Sequence, residues 1–158
     1  MKEREERNAS LLRLDVLVGA WEMQMQLNGQ VVARGSTTFE WMEGRHFMLQ
    51  HADGGPASPE VPTGWIENSP FPTVSVFGLD DTSGAFTMLY SDARGVARVY
   101  QMAFEDGVLR LRREAPGFNQ RFTGRLSNDR SRIDAYWEFS EDGQSWQKDF
   151  DITYERVG

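Results

Sequence analysis

The chain has 158 residues, 39% of them hydrophobic and 12% aromatic, with a formal net charge of −7. That length fits one domain able to bury about 70% of its unfolded surface, and the acidic balance argues against nucleic acid or an anionic membrane as a partner. With no cysteine in the chain, disulfides, thiolate metal sites and thiol nucleophiles are excluded.

Residues 1–9 read as a flexible charged N-terminus and residues 10–158 as the folded domain. The opening Met1-Lys2-Glu3-Arg4-Glu5-Glu6-Arg7-Asn8 has no apolar core of signal-peptide type behind it. No apolar run approaches the ~20 residues of a membrane span, so the expected location is the cytoplasm. Ser10 is placed to cap a short helix over residues 10–18, with Leu11, Leu14, Leu17 and Val18 as its stripe and Gly19 as its stop. After Gly19 the period becomes two. Trp21, Met23, Met25 and Leu27 alternate with Glu22, Gln24 and Gln26, and Asn28-Gly29 reads as a tight hairpin turn. The next run, Val31 to Met42, is long for a strand and carries Gly35, where a bend or bulge is expected. Glu43-Gly44 then turns the chain into His46 to His51.

Residues 52–72 break this cadence with Asp53-Gly54-Gly55 and five of the six prolines. Prolines so dense exclude a central strand, apart from a short piece around Trp65-Ile66. A loop this long is functional or disordered. Trp65 and Phe71 give it something to pack with, so it reads as a structured flap, either a gate or a static connector. From residue 73 onward, strand-like runs Thr73–Leu79, Ala85–Ser91, Val96–Glu105, Val108–Arg113, Gln120–Ser127, Ile133–Ser140 and Trp146–Arg156 are separated by short turn clusters. The expected fold is all-β: a single antiparallel up-and-down β-barrel of about ten strands, with the N-terminal helix closing one end and the 52–72 loop near an opening.

Gly19-Ala20-Trp21 resembles the Gly-x-Trp signature of lipocalins and related ligand-binding barrels. That resemblance implies a tryptophan closing one barrel end with an arginine of the last strand against it, a place Arg156 can fill. A longer resemblance, to an uncharacterised lipocalin-like bacterial family of unknown function, covers nearly the whole chain. It is carried by Leu17 to Trp21, Thr38 to Gly44, Tyr90 to Tyr100, Pro116 to Gly124, Trp137 to Gly143, Trp146 and Asp149-Phe150-Asp151. It implies a calycin-type barrel, a distant cousin of nitrobindins and fatty-acid-binding proteins, and no activity. The nitrobindin group is similar at the opening Gly-x-Trp, but it ligates haem through a histidine near the C-terminal end. Here the last histidine is His51, so neither haem nor any other cofactor is expected.

Strand parity identifies the chemistry-bearing residues. If Trp21, Phe122, Trp137 and Phe150 face inward, the same faces carry Arg98, Tyr100, Arg113, Gln120 and Tyr154, with Tyr90 and Asp92 on the row of Phe86 and Met88. A guanidinium and a phenol two residues apart on one face resemble the way fatty-acid-binding barrels hold a carboxylate. The alternative is a structural pairing of Arg98 with Asp92 or Glu114. His46 and His51 lie on opposite faces of any regular strand and cannot chelate one metal, and no metal site is expected. Nine arginines fall between Arg94 and Arg132; on exposed strand faces these interleave with acids.

The leading expectation is an intracellular barrel, monomer or homodimer, that binds a small apolar molecule with an acidic group. Arg98, Tyr100 and Arg113 meet the acid, Gln120 and Tyr90 lie beside them, and Trp21, Met25, Phe39, Trp137 and Tyr154 form the apolar wall. A second reading is an isomerase or cyclase using Tyr90, Asp92 and His51 as acid–base groups. A third is a filled barrel with a structural or protein-interaction role.

Overall fold

A computed structural model describes residues 9–55 and 59–158. The expected flexible segment therefore lies outside the described residues except for Ala9, as do Pro56, Ala57 and Ser58. Ten strands form one closed antiparallel barrel: β1 (Gly19–Leu27), β2 (Gln30–Trp41), β3 (Met48–Gly54), β4 (Thr73–Leu79), β5 (Phe86–Asp92), β6 (Ala97–Glu105), β7 (Val108–Arg113), β8 (Asn119–Leu126), β9 (Arg132–Ser140) and β10 (Gln147–Arg156). Each strand pairs with its neighbours in sequence, and β10 closes the ring on β1. Alternation does the sorting: in β6, Tyr100, Met102 and Phe104 are buried while Ala97, Val99, Gln101 and Ala103 are exposed. The turns use the residues their backbone demands. Asn28 and Gly29 sit at φ 52° and 79°, and Asp106 and Gly107 at 53° and 75°, the left-handed region tight hairpins need.

The N-terminal segment differs from the expected single helix. It is one α-turn, α1 (Ala9–Leu12), followed by a 3-10 stretch at Arg13–Leu17. Ser10 lies inside α1, not ahead of it, and Val18 is 38% exposed. Leu11, Leu14 and Leu17 are buried; a few tight turns suffice to set three leucines into the barrel end. Gly19 opens β1 instead of stopping a helix. Its φ is 135°, and a Cβ there would lie 2.7 Å from the Gly158 carbonyl oxygen, so only glycine fits.

Three other expectations are corrected. The bulge in β2 is at Val32: Met25 pairs with Ala33 and Gln26 with Val31, so one residue is skipped. Gly35 is instead a close-approach position, where a Cβ would collide with the Asp53 carbonyl oxygen. After a short 3-10 turn at Glu43–Arg45, β3 begins at Met48 and not at His46, and runs on to Gly54. Around Trp65-Ile66 the chain is not extended but helical, α2 (Thr63–Glu67).

Among the described residues, no helix is long and apolar enough to cross a membrane. The outward arginines do interleave with acids: Arg121 with Glu138 at 2.8 Å, Arg132 with Asp134 and Glu155 at 2.8 Å each, and Arg112 with Glu114 at 3.3 Å.

Candidate functional site

The barrel has two unlike ends. At the end covered by the N-terminal segment, Trp21 is fully buried and donates its indole N–H to the Leu17 carbonyl at 2.9 Å. The Arg156 guanidinium lies over its ring, 4.2 Å from the centroid. Arg156 also donates to the carbonyls of Val16, Val18 and Arg130. Trp21 is thus the plug of this end and does not line the cavity, which corrects its placement in the apolar wall.

Above the plug lies a cavity of about 310 Å³, at the lower end of the range for small-molecule sites. Met25, Phe39, Trp137 and Tyr154, all expected in the wall, line it. An aromatic chain runs through it: Phe122 to Trp137 with ring centroids 5.0 Å apart, Trp137 to Tyr100 at 5.7 Å, and Tyr100 to Tyr90 at 6.3 Å. Burial of this surface is what the alternating apolar residues of ten strands supply.

The polar groups gather where β3 to β6 face the interior. Gln50 pairs with Ser75, Ser75 with Tyr90 and Tyr90 with Arg98, and all four line the cavity. Tyr90 donates its hydroxyl to Asp92 at 2.7 Å. Asp92 is held by Arg94 through its side chain at 2.7 Å and by the backbone N–H groups of Arg94 and Val96. Burial acts to raise the Asp92 pKa, but these donors outweigh it and leave the carboxyl well below its ordinary range. The Tyr90 phenol is pushed up by burial and then by the neighbouring Asp92.

This network settles the alternative for Arg98. Asp92 pairs with Arg94 and Glu114 with Arg112, and among the described residues Arg98 forms no ion pair. Its guanidinium lies 5.4 Å from the centre of the Phe118 ring. Tyr100 is buried and donates its hydroxyl to Gln120 Oε1 at 2.8 Å. That differs from a phenol free to donate to a ligand acid. The bond fixes Gln120, another lining residue, by its carbonyl and does not use its amide N–H groups. Burial raises the Tyr100 pKa, opposed by the charges of Arg98, Arg113 and Arg94. Arg113 itself is turned away: it donates to the Phe118 carbonyl at 3.0 Å and does not line the cavity.

The acid–base trio Tyr90, Asp92 and His51 is not assembled. His51 is exposed on β3, between the inward Gln50 and Ala52, so parity sends it to the opposite face from Tyr90. His46 lies at the end of the 3-10 turn after β2, apart from His51. Among the described residues no group of three metal-ligating side chains forms.

The mouth is bordered by the proline-rich segment. Pro70 and Phe71 line the cavity, and Trp65 packs edge-on against Phe150, another lining residue, at 5.2 Å. The segment is tied down at Gly55 N–H to the Arg34 carbonyl, 2.7 Å, and at Ala93 N–H to the Pro70 carbonyl, 3.0 Å. A bulge in β10 skips Asp149 between Lys148 and Phe150 and turns it into the cavity lining; burial raises its pKa. Sequence reasoning missed Ser75, Thr73, Gln50 and Asp149. The first two share the inward face of Phe77 and were readable by parity; Asp149 depends on a bulge that alternation cannot announce.

No family model matches the chain, and no curated protein does. Among solved structures it is similar to the crystal structure of Rv2717c from M. tuberculosis, at 12% identity and a TM-score of 0.62, covering 97% of this chain and 100% of that one. The likeness is one of fold.

Proposed function

We propose that the barrel binds a small, largely apolar molecule through an acidic group, with Arg98 as the anion partner and the Gln120 amide as a second donor. The observation that carries this is a guanidinium that forms no ion pair with any described residue, in the wall of a mostly apolar cavity. A cation in such a place is costly unless an anion joins it. Tyr100 serves as the positioning residue that holds Gln120. The lipocalin-like kinship belongs to this reading, supported by the Gly19–Trp21 opening stacked under Arg156.

The test is competition between decanoate, anilinonaphthalene sulfonate and a neutral analogue, decanol. In Arg98→Ala, acids lose about 1–3 kcal/mol, the scale of a hydrogen bond to a charged group, and decanol loses less. Equal losses for the acids and decanol sink the assignment of Arg98 as anion partner; no binding of any probe sinks the cavity as a ligand site.

A further inference from the structure

Three hydroxyls in the cavity wall stand open. Ser75 is 3% exposed and Thr73 and Tyr154 8% each, all three line the cavity, and none of their side-chain oxygens bonds to any described residue. Their counterparts Tyr90 and Tyr100 are both bonded, to Asp92 and Gln120. Among the described residues, every polar side-chain atom wholly shut off from space has a partner. The three open hydroxyls therefore face the cavity and not packed protein. A buried hydroxyl without a partner is costly in apolar surroundings.

Their places differ in depth. Ser75 stands two strands from Arg98 in the same cross-strand row. Tyr154 pairs with Met23 and Ile133, four residues along β10 from Phe150 at the mouth, about 13 Å at strand rise. Around Tyr154 the lining is apolar: Met23, Met25, Ile133 and Ile152.

We infer that the ligand carries, besides its acid, an oxygen away from it on the apolar skeleton, a hydroxyl or a carbonyl, received by Tyr154, with Ser75 and Thr73 as further open hydroxyls. The inference rests on the binding reading above and narrows its ligand class to oxygenated apolar acids. A phenol both donates and accepts, so either oxygen type is served. Burial raises the Tyr154 pKa, which keeps the phenol protonated and able to donate.

The experiment measures the full-length protein with decanoate and with a positional series of hydroxydecanoates, each displacing anilinonaphthalene sulfonate. The best isomer binds about 3- to 10-fold tighter than decanoate, the worth of one net hydrogen bond. In Tyr154→Phe or Ser75→Ala that advantage, taken as the ratio to decanoate in the same variant, falls to within about twofold, and far-ultraviolet circular dichroism with a cooperative urea transition shows that the variants are folded. The inference is overturned if no isomer exceeds decanoate, the outcome for hydroxyls satisfied by water, or if the advantage survives in both variants. Failure of decanoate and every isomer to displace the dye overturns the binding reading itself, and this inference with it.

Discussion

Two arginines on inward strand positions, Arg156 at the plugged end and Arg98 at the open end, meet opposite fates. Arg156 stacks on Trp21 and its donors reach three backbone carbonyls. Arg98 has a ring contact and, among the described residues, no ion pair. The same residue type closes a structure where its donors are taken up by backbone carbonyls, and stands in a cavity wall where no carboxylate of a described residue meets it. The contrast extends to the aromatics, since the Trp21 indole is bonded while the Tyr154 phenol bonds to no described residue.

The comparison breaks most readily at the plugged end. Arg156→Ala removes the stack and leaves three carbonyls to find new donors, an expected loss of about 3 kcal/mol in unfolding free energy, measured by urea denaturation; a loss under about 1 kcal/mol would make the plug decorative. Next comes Asp92, which anchors the rim by accepting from Tyr90, Arg94 and Val96. Asp92→Ala is expected to cost about 2–3 kcal/mol. Because its folded pKa is depressed, its contribution is complete above the ordinary carboxylate range and is lost as pH falls through the lower folded pKa. Stability of the parent should therefore fall on acidification below about pH 4, and less steeply in Asp92→Ala. Equal slopes refute that role.

Smaller effects sharpen the comparison. Arg98→Ala should leave unfolding free energy within about 0.5 kcal/mol of the parent, in contrast to Arg156→Ala, because no ion pair is lost. Denaturation curves separated by several times that amount would show Arg98 to be a structural partner. Smallest of all, Tyr154→Phe should be neutral or slightly stabilising without ligand, since it removes from an apolar wall a hydroxyl that bonds to no described residue. A clear drop in thermal midpoint would reveal a partner for the phenol. For the segment ending at Phe71, ligand should slow proteolysis between residues 59 and 72 if it moves as a gate, and unchanged cleavage would mark it as a connector.

Period-two alternation made the barrel and the inward set readable before any coordinates. Arg98, Tyr100, Gln120 and Tyr154 fell on the predicted faces because a closed sheet leaves a strand residue only two directions. What alternation does not contain is who bonds to whom. That Tyr100 would be engaged by Gln120 and Arg113 by the Phe118 carbonyl depends on neighbours brought up by other strands. Bulges hide for the same reason: Gly35 looked like the irregular residue, yet the skipped one is Val32, while Gly35 answers to the backbone of Asp53. Five residues around Trp65 were too few to show a helical period.

Every strand pairing but one joins consecutive strands; β1 with β10 spans the whole meander. Hairpins of that kind zip locally, whereas the last pairing must draw together segments more than a hundred residues apart and carries the largest loop entropy. The cavity is enclosed only when that final seam has formed, since its wall includes Met23 and Met25 of β1 and Ile152 and Tyr154 of β10. A molecule held in the cavity would therefore act as a clasp on the seam: if it bound only the closed ring, its effect would fall on how slowly the ring reopens and not on how fast the hairpins assemble.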